Sequence, residues 1–167
     1  RDYTRPILEA AGLTRSGVEI ILVNNNSFNA FVAGRRMFIH TGALAAAETP
    51  NEIIGVIAHE AGHLAGGHQE RLREQLSRAE TMAVVAALLG MGAGVAGAAT
   101  GSGGLAQAGA GIAIGGGEMA RRGFLSYQRS EETTADRSAI TYLERTGQSG
   151  RGMLRTFERF SGALALS

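Results

Sequence analysis

The stretch His59-Glu60-Ala61-Gly62-His63 decides how the rest of the chain is interpreted, because it places two histidines four residues apart in a predicted helix. Side chains at that spacing lie on one helical face. Both imidazoles can therefore reach one zinc ion at about 2.0–2.1 Å. Glu60 directly follows the first histidine, where a carboxylate acts on a zinc-bound water rather than on the metal. The alternative is a chance match within a buried helix.

The residues around this motif predict a helix that begins at Pro50. Thr49 and Glu52 form a capping box, with the proline at the first helical position. A largely apolar run at 53–57 leads into the motif, and a charged stretch follows it. This pattern predicts that the helix continues to Arg78.

His68 is the last histidine in the chain and follows His63 by five residues. Five residues of continuous helix correspond to a rotation of about 140°. We therefore expect His68 to face away from the metal, as a surface or packing residue.

Composition limits both the fold and the chemistry. The chain has 167 residues, enough for a single domain with a real core. Its net charge of +1 gives no electrostatic reason to expect binding to nucleic acid. Cysteine is absent, so a zinc site would have to use histidine and carboxylate ligands.

The first part of the chain predicts three short strands among helices. The predicted strands cover residues 18–23, 28–32 and 36–40, and the predicted helices cover 7–11, 43–47, the motif region, the region from Leu125 to Gly147, and a last amphipathic helix around 153–160. Strands and helices of this kind predict an α+β fold that is mostly helical.

The stretch 81–117 differs from the rest because it carries no charged residue. Its first part, 82–99, predicts an apolar helix of about 27 Å, which is borderline for spanning a bilayer. One interpretation is a glycine-rich loop packed on the domain. The other is a helical hairpin that dips into a membrane or covers the active-site cleft. A transmembrane pair is disfavoured, because glycine weakens helices.

A second pattern lies on the predicted helix after Leu125. One helical face carries two carboxylates and then an apolar stripe, namely Glu132, Asp136, Ala139, Ile140 and Leu143. Buried carboxylates are costly unless they are paired or bind a metal. The pattern therefore predicts a role for these two acidic residues beyond surface charge.

The motif at 59–63 and Glu132-Thr133-Thr134-Ala135-Asp136 together resemble the HtpX/BepA-like zinc metallopeptidases, which are related to the CAAX prenyl endopeptidases. The resemblance implies a zincin-like minimal metallopeptidase domain, with a small antiparallel sheet whose edge strand borders the active site. It implies that Glu132 is the third ligand of one zinc ion, beside His59 and His63. Asp136 would orient a ligand histidine.

The resemblance also covers residues 29–31 and 38–42, which are similar to the edge strand of that family, and 152–157, which is similar to its next helix. We therefore expect Phe38, Ile39 and His40 to bind substrate. In the family, a His-Pro element with a later arginine helps to stabilise the oxyanion. This chain departs from the family because it ends at Ser167 without that element.

The function implied by the resemblance is a zinc endopeptidase with Glu60 as general base. We expect a single catalytic domain over 1–167 that cleaves unfolded or flexible protein segments in protein quality control. We expect it in the bacterial periplasm or cell envelope and membrane-associated, with contact to the membrane surface through 81–117.

The alternative is a non-catalytic, zinc-stabilised chaperone-like or membrane-assembly module. A hydrolase of a non-peptide amide is a third possibility. The intact Glu60 favours the enzyme, because a structural zinc site needs no general base.

Overall fold

The computed structural model describes residues 3–68, 70–71, 73–78, 80–81, 84–85, 87–88, 99, 101 and 103–164. These residues are mostly helical, with one small sheet. Their main elements are α1 (Thr4–Ala10), a 3-10 turn (Thr14–Ser16), β1 (Glu19–Val23), β2 (Ala30–Ala33), β3 (Arg36–His40), α2 (Thr41–Ala46), α3 (Pro50–Gly66), α4 (Gly103–Arg145) and α5 (Arg151–Leu164). The chain forms two compact units, one of Arg1–Glu70 with Glu131–Ser167 and one of Arg71–Ser130. The single catalytic domain stays a prediction.

The sheet has the strand order β1-β3-β2, with β1 parallel and β2 antiparallel to β3. The expectation of an antiparallel sheet is therefore wrong, because the sheet is mixed. The chain runs from β1 at one edge of the sheet to β2 at the other edge. It then turns at Gly34, which has a φ of 59°, and returns between the two as β3. Phe38 consequently lies opposite Ile21 on one side and Phe31 on the other.

The strand Arg36–His40 is the central strand, so the prediction that it is an edge strand is also wrong. Both sides of its backbone are hydrogen-bonded within the sheet, and a peptide cannot pair with it. The edge strands are β1 and β2, and β2 packs against α3. Any strand addition beside the motif helix would therefore have to use β2.

Helix α3 is buried between α4 and α5, with a glycine at each close contact. A Cβ added at Gly62 would lie 2.7 Å from the carbonyl oxygen of Ala135 on α4. A Cβ added at Gly55 would lie 2.7 Å from the Cα of Met153 on α5. Because the two contacts are this close, α3 and its neighbours form one core, which includes Ile54, Ile57, Ala58, Ala61, Ala139, Leu143 and Met153.

The start of α3 differs in detail from the predicted capping box. Thr49 is the N-cap and Pro50 follows it, but the Thr49 side chain makes no capping hydrogen bond. The carboxylate of Glu52 instead accepts a hydrogen bond from the backbone N–H of Glu48 at 3.1 Å and lies 3.4 Å from Nη1 of Arg159. Glu52 is almost fully buried, so this arginine provides the partner that its charge requires.

The end of α3 contradicts the predicted helix to Arg78. The helix ends at Gly66, and Gly67 adopts the left-handed conformation with a φ of 62°, which glycine adopts without strain. Helical conformation resumes at His68 and includes residues 73–78. The break therefore changes the direction of the His68 side chain relative to the motif.

Helix α4 is continuous from Gly103 to Arg145, whereas the sequence predicted that helix returns only at Leu125. Residues 103–117 are thus the beginning of this helix. Most of 82–102 lies outside the described residues, and the predicted hairpin over 81–117 stays a prediction. Among the residues that the structure describes, no helix has both the length and the hydropathy needed to cross a bilayer.

Candidate metal centre

Three side chains from α3 and α4 converge on one point. His59 and His63 lie one turn apart on α3, and their Nε2 atoms are 3.1 Å apart. Oε2 of Glu132 on α4 lies 3.4 Å from Nε2 of His59, and its Oε1 lies 3.5 Å from Nε2 of His63. One donor atom from each residue lies within 4.8 Å of the others. The cluster can therefore hold a metal ion.

The other nitrogen of His59 is held by Asp136, one helical turn after Glu132. Nδ1 of His59 lies 2.9 Å from Oδ1 of Asp136. The ring of Phe157 on α5 packs edge-on against the imidazole, with the centroids 5.4 Å apart. With Nδ1 paired to the carboxylate, the Nε2 lone pair remains directed at the cluster. Nothing in the sequence spacing of Phe157 relates it to His59.

His68 lies against the cluster, so the prediction that it faces away is wrong. Its Nδ1 is 2.8 Å from Nδ1 of His63, and its Nε2 is 2.9 Å from Oε2 of Glu131. The prediction assumed continuous helix, whereas the turn at Gly67 returns the chain toward His63. The pair Gly66-Gly67 was the signal in the sequence that could have indicated this break.

Glu60 is buried in α3 beside the cluster. Burial raises its pKa to about 7, although the charges of His59 and His63 act in the opposite direction. A carboxyl group with this pKa exchanges a proton near neutral pH, which suits a general acid or base. The motif's glutamate therefore has both the location and the acidity that proton transfer needs.

The charges within the cluster are strongly coupled. Burial lowers the pKa of His59, but the hydrogen bonds with Asp136 and Glu132 outweigh it and raise that pKa to about 10. Hydrogen bonds with His59 and His63 hold the pKa of Glu132 well below its usual range. In the metal-free protein a proton on His59 therefore balances the carboxylates, and a cation binding there has to displace it.

Comparison with known sequences agrees with this geometry. The sequence pattern described as Peptidase family M48 matches residues 2–165. The chain belongs to this family.

Among the relatives of this M48 chain are two proteins named beta-barrel assembly-enhancing protease. The one from Yersinia pestis is 28% identical over 144 residues, which cover 86% of this chain and 28% of that protein. The one from Escherichia coli (strain K12) is 25% identical over 160 residues, which cover 92% of this chain and 30% of that protein. The chain thus spans about three tenths of the length of these curated relatives. Membership of M48, a metallopeptidase family, implies a metal and a protein or peptide substrate.

The predicted substrate residues of this M48 domain lie within the sheet. Ile39 is buried in the core, so its side chain has no surface to offer a substrate. His40 is also buried, and its Nδ1 lies 2.9 Å from Oγ of Ser27. Phe38 stacks on Phe31 of β2 with the ring centroids 4.9 Å apart. Substrate contacts by Phe38 and His40 stay predictions, whereas a side-chain contact by Ile39 is excluded.

A cavity of about 120 Å³ adjoins His63 on the side of β2. Its apolar wall includes Val18, Val32 and Leu64, and Arg35 and Glu70 also line it. The cavity therefore brings apolar and charged side chains together beside His63.

Proposed function

We propose that this M48 domain is a zinc-dependent endopeptidase, with one zinc ion held by His59, His63 and Glu132 and with Glu60 as general base. The observation that carries the proposal is the convergence of the three donors beside a buried glutamate. The partners of both Nδ1 atoms add support, because they leave the two Nε2 lone pairs directed at one point.

The donor set fits zinc in a catalytic rather than a closed structural site. Two imidazoles and one carboxylate occupy three positions of a tetrahedral ion and leave the fourth open. The chain contains no cysteine, so a thiolate site is excluded. A zinc ion bound there would supply the Lewis acidity that polarises a peptide carbonyl and acidifies a water molecule.

The chain's own residues would perform the proton transfers. Glu60 accepts the proton of the attacking water and then donates it to the nitrogen of the leaving amine. Burial in the metal-free protein raises the pKa of this carboxyl group to about 7. Asp136 accepts the Nδ1 proton of His59 and so fixes which ring nitrogen faces the metal.

The substrate would be an extended stretch of protein. Strand β2 is an edge strand, packs against α3, and exposes Phe31. An extended peptide can add to such an edge through main-chain hydrogen bonds. Only unfolded or flexible segments can adopt this conformation, so the geometry favours them over folded proteins and small molecules.

We place this activity in protein quality control in the bacterial periplasm or cell envelope, with the domain associated with a membrane. The names of the relatives support the location, because membrane β-barrels belong to the bacterial outer membrane. Three exposed apolar side chains support contact with a lipid surface: Val84, Val85 and Leu88. Liposome flotation should recover the wild type but not a variant with all three changed to serine. If neither protein floats, the membrane contact is rejected.

The peptidase proposal is tested by Glu60→Gln in the full-length protein. The change is nearly isosteric and does not remove a proposed ligand, so zinc content should stay at one per chain while casein cleavage falls by about 10²–10⁴-fold. Glu144→Gln, an exposed carboxylate on α4, is the control and should cleave at the wild-type rate. Equal cleavage by Glu60→Gln and wild type would reject Glu60 as the base. A wild type that binds zinc but cleaves no unfolded substrate would favour the chaperone-like module.

A further inference from the structure

The two histidines of the cluster, His59 and His63, have different partners at their Nδ1 atoms. Nδ1 of His59 meets a carboxylate directly, that of Asp136. Nδ1 of His63 meets a second imidazole, that of His68, which in turn meets the carboxylate of Glu131. The three residues His63, His68 and Glu131 therefore form a relay that ends, like the His59 pair, on a carboxylate.

Only one arrangement of protons lets this relay serve a metal site. If His63 gives the lone pair of Nε2 to a metal, its ring proton must be on Nδ1. His63 then donates that proton, at 2.8 Å, to Nδ1 of His68. His68 accepts at Nδ1, so its own proton is on Nε2, which lies 2.9 Å from Oε2 of Glu131. The carboxylate of Glu131 lies at ion-pair distance from that nitrogen, although the two atoms are not aligned as a hydrogen bond.

The local backbone is built to place His68 in this position. Its side chain is 4% exposed, and that of Glu131 is 12% exposed, so both polar groups have lost most of their water. The left-handed turn at Gly67 brings His68 back toward His63. A Cβ added at Gly66 would overlap the His68 ring, so glycine at that position makes the space for it. A histidine in such a site needs polar partners, and here Nδ1 shares a hydrogen bond with His63 while Nε2 has a carboxylate at ion-pair distance.

We propose that His68 is a positioning residue: it accepts the Nδ1 proton of His63 and so holds His63 in the tautomer that binds metal. Glu131 fixes the matching tautomer of His68. The inference rests on the proposed ligand role of His63. His68 also differs from Asp136 as a partner, because His63 meets a neutral ring where His59 meets a carboxylate.

The test measures Zn²⁺ affinity of the full-length protein by competition with a chromophoric chelator. His68→Ala should lower the affinity by about 10–100-fold, the usual effect of removing a partner of a ligand. The decisive pair is His68→Asn and His68→Gln. The asparagine oxygen is as many bonds from the backbone as Nδ1, so it can still accept from His63, whereas the glutamine amide reaches the Nε2 position that faces Glu131.

We expect His68→Asn to bind Zn²⁺ more tightly than His68→Gln. A residue that only filled space or paired with Glu131 would give the opposite order, and equal affinities would also overturn the proposal. Thr156→Ala is the control, because Thr156 is another buried polar side chain and its hydroxyl donates to the backbone oxygen of Gly152. It should bind Zn²⁺ with wild-type affinity.

Different results would overturn the metal assignment and the positioning role of His68. If His63→Ala keeps wild-type affinity, the metal assignment itself is wrong, and the proposed function fails with it. If His63→Ala loses Zn²⁺ while His68→Ala and His68→Gln bind like wild type, only the positioning role is wrong. Should His68→Ala fail to fold, the Asn and Gln variants still decide, since each keeps a polar side chain in the buried site.

Discussion

Helix α3 and the end of helix α4 both contribute to the proposed metal centre, but they hold their side chains in opposite ways. His59 and His63 on α3 have side chains that are 12% and 15% exposed, within a helix that is packed on both sides. Glu132 and Asp136 on α4 are 60% and 43% exposed. The histidine pair is therefore set by one buried helix, whereas the carboxylates depend on how closely a second helix approaches.

This difference separates the stability of the fold from the assembly of the site. A substitution on the exposed face of α4 can remove a donor without opening the core. A substitution at the contact between α3 and α4 changes the distance between the donors even when every donor is present. The three predictions below test that separation, starting with the largest effect.

Glu132→Ala should abolish stoichiometric zinc binding while the fold is kept. The lost donor should lower zinc affinity by more than about 100-fold, because a change in a partner of a ligand already costs about 10–100-fold. The free energy of unfolding of the metal-free protein should fall by about 1 kcal/mol or less, since the carboxylate is largely exposed. Metal analysis and urea unfolding measure the two quantities, with Glu144→Ala as the control. Near-stoichiometric zinc in Glu132→Ala would exclude this ligand.

Gly62→Ala and Gly55→Ala should have similar effects on stability and different effects on zinc. Either new Cβ would lie 2.7 Å from backbone of the facing helix, so each should cost roughly 1–3 kcal/mol of unfolding free energy. Only Gly62→Ala separates α3 from the helix that carries Glu132, so only it should weaken zinc binding.

Gly123→Ala on α4 is the control for this pair, because an added Cβ meets no atom within 4 Å. It should leave zinc affinity unchanged and stabilise the fold by about 0.4–1 kcal/mol. If Gly55→Ala weakened zinc binding as much as Gly62→Ala, the separate role of the contact between α3 and α4 would be refuted.

The last prediction concerns the pH dependence of the metal-free protein. Folding raises the pKa of His59 from 6.5 to about 10, so the folded state binds this proton more tightly than the unfolded state. The resulting stability is fully present below about pH 6.5 and is lost as the pH rises through about 10. Urea unfolding of chelator-treated protein across this window should show the loss. Asp136→Ala should flatten it, and the same slope in both proteins would contradict the assignment to this pair.

The sequence predicted most elements that have a strong local signal. The bounds of β3 were correct, because Met37 and Ile39 alternate with more exposed neighbours, as a strand requires. The motif on α3 and the two carboxylates on α4 were also found, and the structure brings His59, His63 and Glu132 together. Their approach could be predicted only through the family resemblance, since the sequence separation of 59 and 132 carries no distance information.

Other features could not be obtained from local patterns. Period-two alternation is the same in a central and an edge strand, so it could not show that β3 lies between β1 and β2. The location of His68 depended on a single left-handed residue, Gly67, and an assumed continuous helix moved its side chain to the wrong face. The length of α4 was missed because its glycine-rich beginning has no helical periodicity to detect.

The strand order also constrains when the sheet can form. Strands β1 and β2 share no ladder, and each pairs only with β3, which is made after both. A nascent chain that ends before Arg36 therefore contains two strands that have no partner in this sheet. Once β3 is made, the short β2–β3 hairpin can close first, because its ends are only a turn apart, and β1 joins later at a greater cost in loop entropy. Strand β2, which packs against α3, thus depends for its folding on β3, which follows it in the chain.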